Sequence, residues 1–205
     1  MGLDYSYLLY FRREDIWNVL QAVVEIAVPF DPPTKIQLTD GELVIPLDAW
    51  TQKDRRFTYK DAEMNFSISI NFEEDDAIID YLIMRNNDYA FPAPTEGQSI
   101  STVPIGYIYL TIRNETSNYY PAAQDKDIVT FDFGTTGTKM SMLFYESESI
   151  RRTFVGLLER VQGICGVFNQ EDYGTLFWYK GKLFDQMIDN PFMLPSEIET
   201  ELNLR

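Results

Sequence analysis

Glu63-Met64-Asn65-Phe66-Ser67-Ile68-Ser69-Ile70-Asn71-Phe72 alternates apolar and polar residues without a break after its first position. Successive side chains of a strand point to opposite faces of a sheet. Met64, Phe66, Ile68, Ile70 and Phe72 therefore share one face, while Asn65, Ser67, Ser69 and Asn71 share the other. One apolar and one hydrophilic face mark a sheet packed on one side and wet on the other, the habit of antiparallel sheets.

Upstream of this strand, residues 4–11 form an apolar, aromatic run that reads as a buried strand. From 13 to 28 the period changes to that of a helix. Ile16, Leu20, Val23, Val24 and Ala27 fall on one side, and Pro29, Pro32 and Pro33 then stop it. Asp40-Gly41, between the β-prone runs 35–39 and 42–46, predicts a tight hairpin.

Downstream, Ile78, Ile79, Leu82 and Ile83 suit a short helix over 77–84. Strands are expected at 104–113 and 127–133, with Gly134-Thr135-Thr136-Gly137 turning into a further strand at 139–145. Ile150, Phe154, Leu157, Leu158 and Val161 predict a second long helix, with Ser147 or Ser149 as N-cap and Gly163 near its end. Residues 176–179 and 182–184 flank Lys180-Gly181 in another hairpin. Ser196 and Glu199 have capping-box spacing and open a helix carrying Ile198 and Leu202. The segments 48–62, 85–103 and 114–126 read as long loops.

The expected fold is a single α+β domain over residues 1–205. One antiparallel sheet would carry two long helices on its apolar face. Segments 4–46 and 139–184 follow the same order of strand, helix and glycine-turn hairpin, which predicts a duplicated β-α-β-β unit.

The 205 residues carry a formal charge of −15, from 17 basic against 32 acidic side chains. Such a field repels phosphate backbones and anionic bilayers, so nucleic acid and membrane surfaces are not expected partners; basic proteins are. No apolar run is long enough to span a bilayer, and the N-terminal residues lack a secretory pattern, so the expected location is the cytoplasm. The sequence contains no histidine and a single cysteine, Cys165. That inventory argues against histidine-activated nucleophiles, against zinc or iron-sulfur sites, and against any cofactor that needs them.

Glu73, Glu74, Asp75, Asp76 and Asp80 form the densest acidic group, without the ligand spacing of a calcium loop. Lys53, Arg55, Arg56 and Lys60 form a basic cluster among Trp50, Phe57 and Tyr59, and read as counter-charge for nearby acids. Gly163-Ile164-Cys165-Gly166 offers a thiol but no base to activate it. The stretch 134–139 has glycines and a lysine without phosphate-loop spacing. Tyr119 and Tyr120, beside Pro121, place large rings in a loop where they could anchor an interface.

The leading functional expectation is a non-enzymatic binding or regulatory protein, like immunity or inhibitor proteins in charge alone. It would meet a basic partner through Glu73, Glu74, Asp75, Asp76 and Asp80 with Tyr119 and Tyr120. No catalytic or metal-binding residue is assigned. The alternative is an enzyme whose carboxylates near 73–80 carry the acid-base chemistry.

Overall fold

The computed structural model describes residues 2–38, 41–58, 60–85, 101–113 and 127–204. The alternating segment is strand β5 (Glu63–Glu73), and its five apolar side chains are all buried. It pairs antiparallel with β6 (Thr102–Arg113), which pairs with β7 (Ile128–Gly134). Next come β1 (Ser6–Arg12), β8 (Cys165–Asn169), β9 (Gly174–Tyr179) and β10 (Lys182–Ile188). These form one seven-stranded antiparallel sheet in the order β10-β9-β8-β1-β7-β6-β5.

Tyr7, Leu9 and Phe11 of β1 face a core shared with helices α1 (Ile16–Ile26) and α4 (Glu148–Arg160). In α1, Ile16, Val19, Leu20 and Val23 are buried at helical spacing. Phe154 of α4 sits at the centre of an aromatic cluster. Its ring stacks on Tyr7 at 4.5 Å and meets Phe133 at 4.8 Å. The helix predicted at 77–84 is α2 (Asp76–Arg85), with Ile78, Tyr81 and Leu82 buried.

The opposite face of the sheet is divided. Over β1, β8 and β9, the side chains of Leu8, Tyr10, Cys165, Val167 and Leu176 pack beneath Ile198 of α5 (Pro195–Glu201). Over β5–β7 the face is polar. The Thr111 hydroxyl donates to Asn65 Oδ1 at 2.8 Å, and Arg113 Nη1 meets Asp132 Oδ2 at 2.8 Å.

Several sequence expectations need correction. Residues 139–145 are not a strand but part of helix α3 (Thr138–Glu146), so 134–137 leads into a helix instead of turning a hairpin. Met140, Leu143 and Phe144 have the spacing of one helical face, and all three are buried. A short apolar run fits either period, and packing selects the helix. Ser141 fixes it in place: its hydroxyl donates to Leu3 O at 2.7 Å and accepts from Tyr5 N at 3.2 Å.

The two supposed repeats consequently have different topologies. Segment 4–46 runs strand, helix, hairpin, whereas 139–184 runs helix, helix and three strands. The first hairpin also leaves the main sheet. β2 (Thr34–Leu38) and β3 (Gly41–Ile45) form a separate three-stranded sheet with β4 (Arg56–Thr58), which lies parallel to β2 inside the expected loop 48–62. Phe57 of β4 is buried against Phe66, ring centroids 5.2 Å apart, so a three-residue strand is held by one aromatic anchor. Residues 39–40 of the first turn lie outside the described residues.

At the C-terminal helix the cap is Leu194, with Pro195 at the first helical position. Glu197 Oε2 accepts from Leu194 N at 2.7 Å. Ser196 is inside the helix, and Glu199 pairs with Lys180 at 3.0 Å.

Candidate partner-binding groove

The acidic group predicted from sequence lies where β5 hands over to α2. Its most constrained member is Asp75. Oδ1 accepts from Ile78 N at 2.9 Å, capping α2. Oδ2 accepts from Ser149 N at 2.9 Å and from the Ser147 hydroxyl at 2.7 Å. Ser147 in turn is the N-cap of α4, accepting from Ile150 N at 3.1 Å. Burial pushes the Asp75 carboxyl up, but the hydrogen bonds from Ser149, Ile78 and Ser147, with the Arg152 charge nearby, hold it below the usual carboxylate range. A carboxylate held ionised in this way serves as a helix cap, and it is the opposite of a general acid poised near neutral pH.

Glu73 forms a 3.6 Å ion pair with Arg152, and Glu74 N donates to Ser101 O at 3.1 Å. Asp76 and Asp80 are exposed on α2. Tyr119 and Tyr120 lie outside the described residues. In the basic cluster, Arg55 pairs with Asp48 and lies over the Phe30 ring at 4.7 Å. The Cys165 thiol is fully buried, and burial pushes it well above the ordinary thiol range. Among the described residues, no group of three or more His, Cys, Asp or Glu is placed to hold a metal.

Sequence reading missed the most distinctive surface. Helix α4 packs on β1, β5 and β8, and the apolar-core side of the sheet continues beyond it to β10. A groove of about 400 Å³ lies there. Phe168 of β8 and Phe177 of β9 form its floor, and both are buried. Tyr145 at the end of α3 and Met187 of β10 stand over it, 60% and 68% exposed. Tyr173 is a further lining residue, and Leu183 of β10 is 67% exposed. Exposed large apolar side chains gathered in this way are a feature of contact surfaces.

Its charged lining consists of Glu148, Asp185 and Arg151. Arg151 is already engaged: Nη2 donates to Phe184 O at 3.0 Å and lies 3.8 Å from Asp185. Glu148 makes no ion pair among the described residues. Tyr5 packs edge-on against Phe168, ring centroids 5.7 Å apart. Its phenol is raised first by burial and then by Tyr173, Glu171 and Tyr145. The groove is thus apolar at its base, with two carboxylates and one guanidinium at its rim. The alternation of Leu183, Asp185 and Met187 along β10 was the available signal in the sequence, but nothing there says which face of that strand stays bare.

A second, smaller aromatic group occupies the polar half of the opposite sheet face. Trp50, 55% exposed, lies 5.5 Å from the Tyr109 ring, with Tyr107 also exposed.

The chain matches no protein-family model, and no curated protein or solved structure is significantly similar to it. Among the described residues, no helix is long and apolar enough to cross a membrane.

Proposed function

We propose that this is a non-enzymatic binding protein that recognises a basic protein partner through the groove between α4 and β10. The observation that carries the reading is the coincidence of exposed Met187 and Tyr145 with acidic Glu148 and Asp185 in the lining of one groove, with exposed Leu183 two positions from Asp185 on β10. Aromatic and methionine side chains supply contact area, and the carboxylates of Glu148 and Asp185 select against acidic competitors. The net charge of −15 attracts a basic partner over distance. Glu73, Glu74, Asp76 and Asp80 contribute to that field and so to association rate, with Asp75 reserved for the two helix caps.

The test is recovery of a bound partner from the native host with the wild-type chain and with a Leu183→Gln/Met187→Gln variant. This change removes both apolar anchors without altering charge. A defined basic protein should be retained by the wild type, with an association rate that falls as salt rises, and lost by the variant. Equal retention by both chains would exclude the groove.

A further inference from the structure

Beyond the groove, and on the other side of the sheet, we infer that the wet face of β5 and β6 binds a neutral oligosaccharide stacked on Tyr107, Tyr109 and Trp50.

Tyr107 and Tyr109 are two residues apart on β6, so both rings rise from one face of the sheet, about 7 Å apart. They are 57% and 43% exposed. Cross-strand register sets Ser69 of β5 opposite Tyr107 and Ser67 opposite Tyr109. The face therefore presents the same pair, a tall ring beside a short hydroxyl, twice in succession. Opposed side chains stand about 5 Å apart at their Cβ atoms, so one ligand unit can touch both. Gly134 of β7 follows Tyr109 in the same row. Among the described residues, a Cβ at Gly134 would meet nothing nearer than Tyr109 O at 4.0 Å, which leaves that side of the row open.

Trp50 reaches this face from beyond the edge of β5. Ser67 N donates to Asp48 O at 2.8 Å, and Ala49 N donates to the Thr34 hydroxyl at 3.1 Å, which fixes the turn that carries it. Its ring is tilted by 39° against Tyr109 and stays mostly exposed. The rings are thus presented by backbone that is already held in place.

The chemistry of the face selects the ligand. Among the described residues, the hydroxyls of Ser67, Ser69, Tyr107 and Tyr109 make no hydrogen bond. Each can both donate and accept, and none is charged. The charged groups are matched to one another instead. Arg113 lies 2.8 Å from Asp132 and 3.7 Å from Glu63, and Arg55 pairs with Asp48. A phosphate chain would have to break these pairs and approach a net charge of −15. The neighbours of the rings in the cross-strand rows are Ser67, Ser69, Asn65 and Thr111, not the apolar side chains that fill the core of a protein interface.

A pyranose has the complementary form. One side of it is a patch of C–H groups, drawn to the negative face of an aromatic ring, and its rim carries hydroxyls that donate and accept. A chain of such units repeats, as the ring and serine pair does.

The probes are cellohexaose, maltohexaose, chitohexaose and mannohexaose, each titrated to millimolar concentration into the ¹⁵N-labelled full chain, with decaproline as a peptide control. At least one hexasaccharide should shift amides of β5, β6 and residues 48–52 together. Trp50→Ala and Tyr107→Ala should each weaken that binding at least tenfold with an unchanged melting temperature. Leu183→Gln/Met187→Gln, on the groove side, should leave it unaltered. The inference falls if no hexasaccharide moves these amides, or if either alanine variant binds as the wild type does. It falls too if decaproline moves them and the sugars do not, since the face would then hold a protein segment. None of these results bears on the groove, whose own test is retention of a partner.

Discussion

Asp75 Oδ2 accepts a hydrogen bond from the Ser147 hydroxyl at 2.7 Å, joining the start of α2 to the start of α4 across 72 positions of sequence. One carboxylate thus supplies acceptors to the N-termini of two helices, where backbone N–H groups lack partners within the helix and the dipole favours negative charge.

Asp75→Ala should therefore destabilise the protein by about 1–2 kcal/mol at neutral pH, the range measured for lost helix caps. The effect depends on pH in a definite direction. A depressed folded-state pKa adds stability above the unfolded carboxylate value near 4, and that stability is lost as pH falls through the lower folded value. Urea denaturation of both proteins should show the gap in stability fully open at pH 7 and closing below about pH 4. A gap that stayed constant down to pH 2 would contradict the ionised cap.

Gly166 of β8 lies where α4 comes down on the sheet. A Cβ there would stand 2.6 Å from the Phe177 ring and 2.7 Å from Leu158 Cδ1, and both side chains are buried. Gly166→Ala should cost about 1–3 kcal/mol by overpacking and lower the melting temperature. A variant as stable as the wild type would mean that Leu158 and Phe177 can move apart without loss.

Arg113 and Asp132 form an ion pair whose side chains are only 11% and 15% exposed. Removing one partner strands the other charge in a poorly solvated site, so Arg113→Met should destabilise by about 3 kcal/mol. The double variant Arg113→Met/Asp132→Leu should recover much of that loss. Denaturant unfolding of these two variants and of Asp132→Leu alone forms the necessary cycle, and additive effects would show that the two side chains act independently.

Cys165 should be silent to thiol reagents in the native state. Its thiol is buried and held protonated, and the thiolate is the reactive form. A colorimetric disulfide reagent at pH 8 should modify no thiol in the folded protein and one per chain in denaturant. Rapid native labelling would place Cys165 at an accessible surface.

The anchors of the groove should be dispensable for folding. Leu183 and Met187 are mostly exposed, so Leu183→Gln/Met187→Gln should change stability by no more than about 0.5 kcal/mol. A larger loss, read by thermal melting, would mean that these side chains belong to the core.

Much of the fold was legible because it is written in periodicity. The alternation of residues 63–72 gave β5 and its buried face, and the apolar spacing of Ile16, Leu20, Val23 and Val24 gave α1. Ser147 and Ser149 both marked the start of α4, of which Ser147 is the cap, and Lys180-Gly181 declared the β9–β10 turn, where both residues adopt positive φ. These signals are local: the period of burial and the chemistry of a cap or turn act within a few residues.

Where two periods fit the same run, tertiary packing decided. Residues 138–146 are helical because Met140, Leu143 and Phe144 are buried together and Ser141 is bonded to Leu3 and Tyr5, contacts more than 130 positions away. β4 exists because Phe57 meets Phe66. The groove is of the same kind. Its residues come from β1, α3, α4, β8, β9 and β10, and what sets it apart is that the edge strand β10 keeps large side chains exposed beyond α4. The sequence alone determined the strongly acidic charge, the lack of histidine and the capacity of each segment to form a strand or helix. Which faces those segments covered, and which one remained bare, depended on contacts between segments far apart in the chain, and no local period records them.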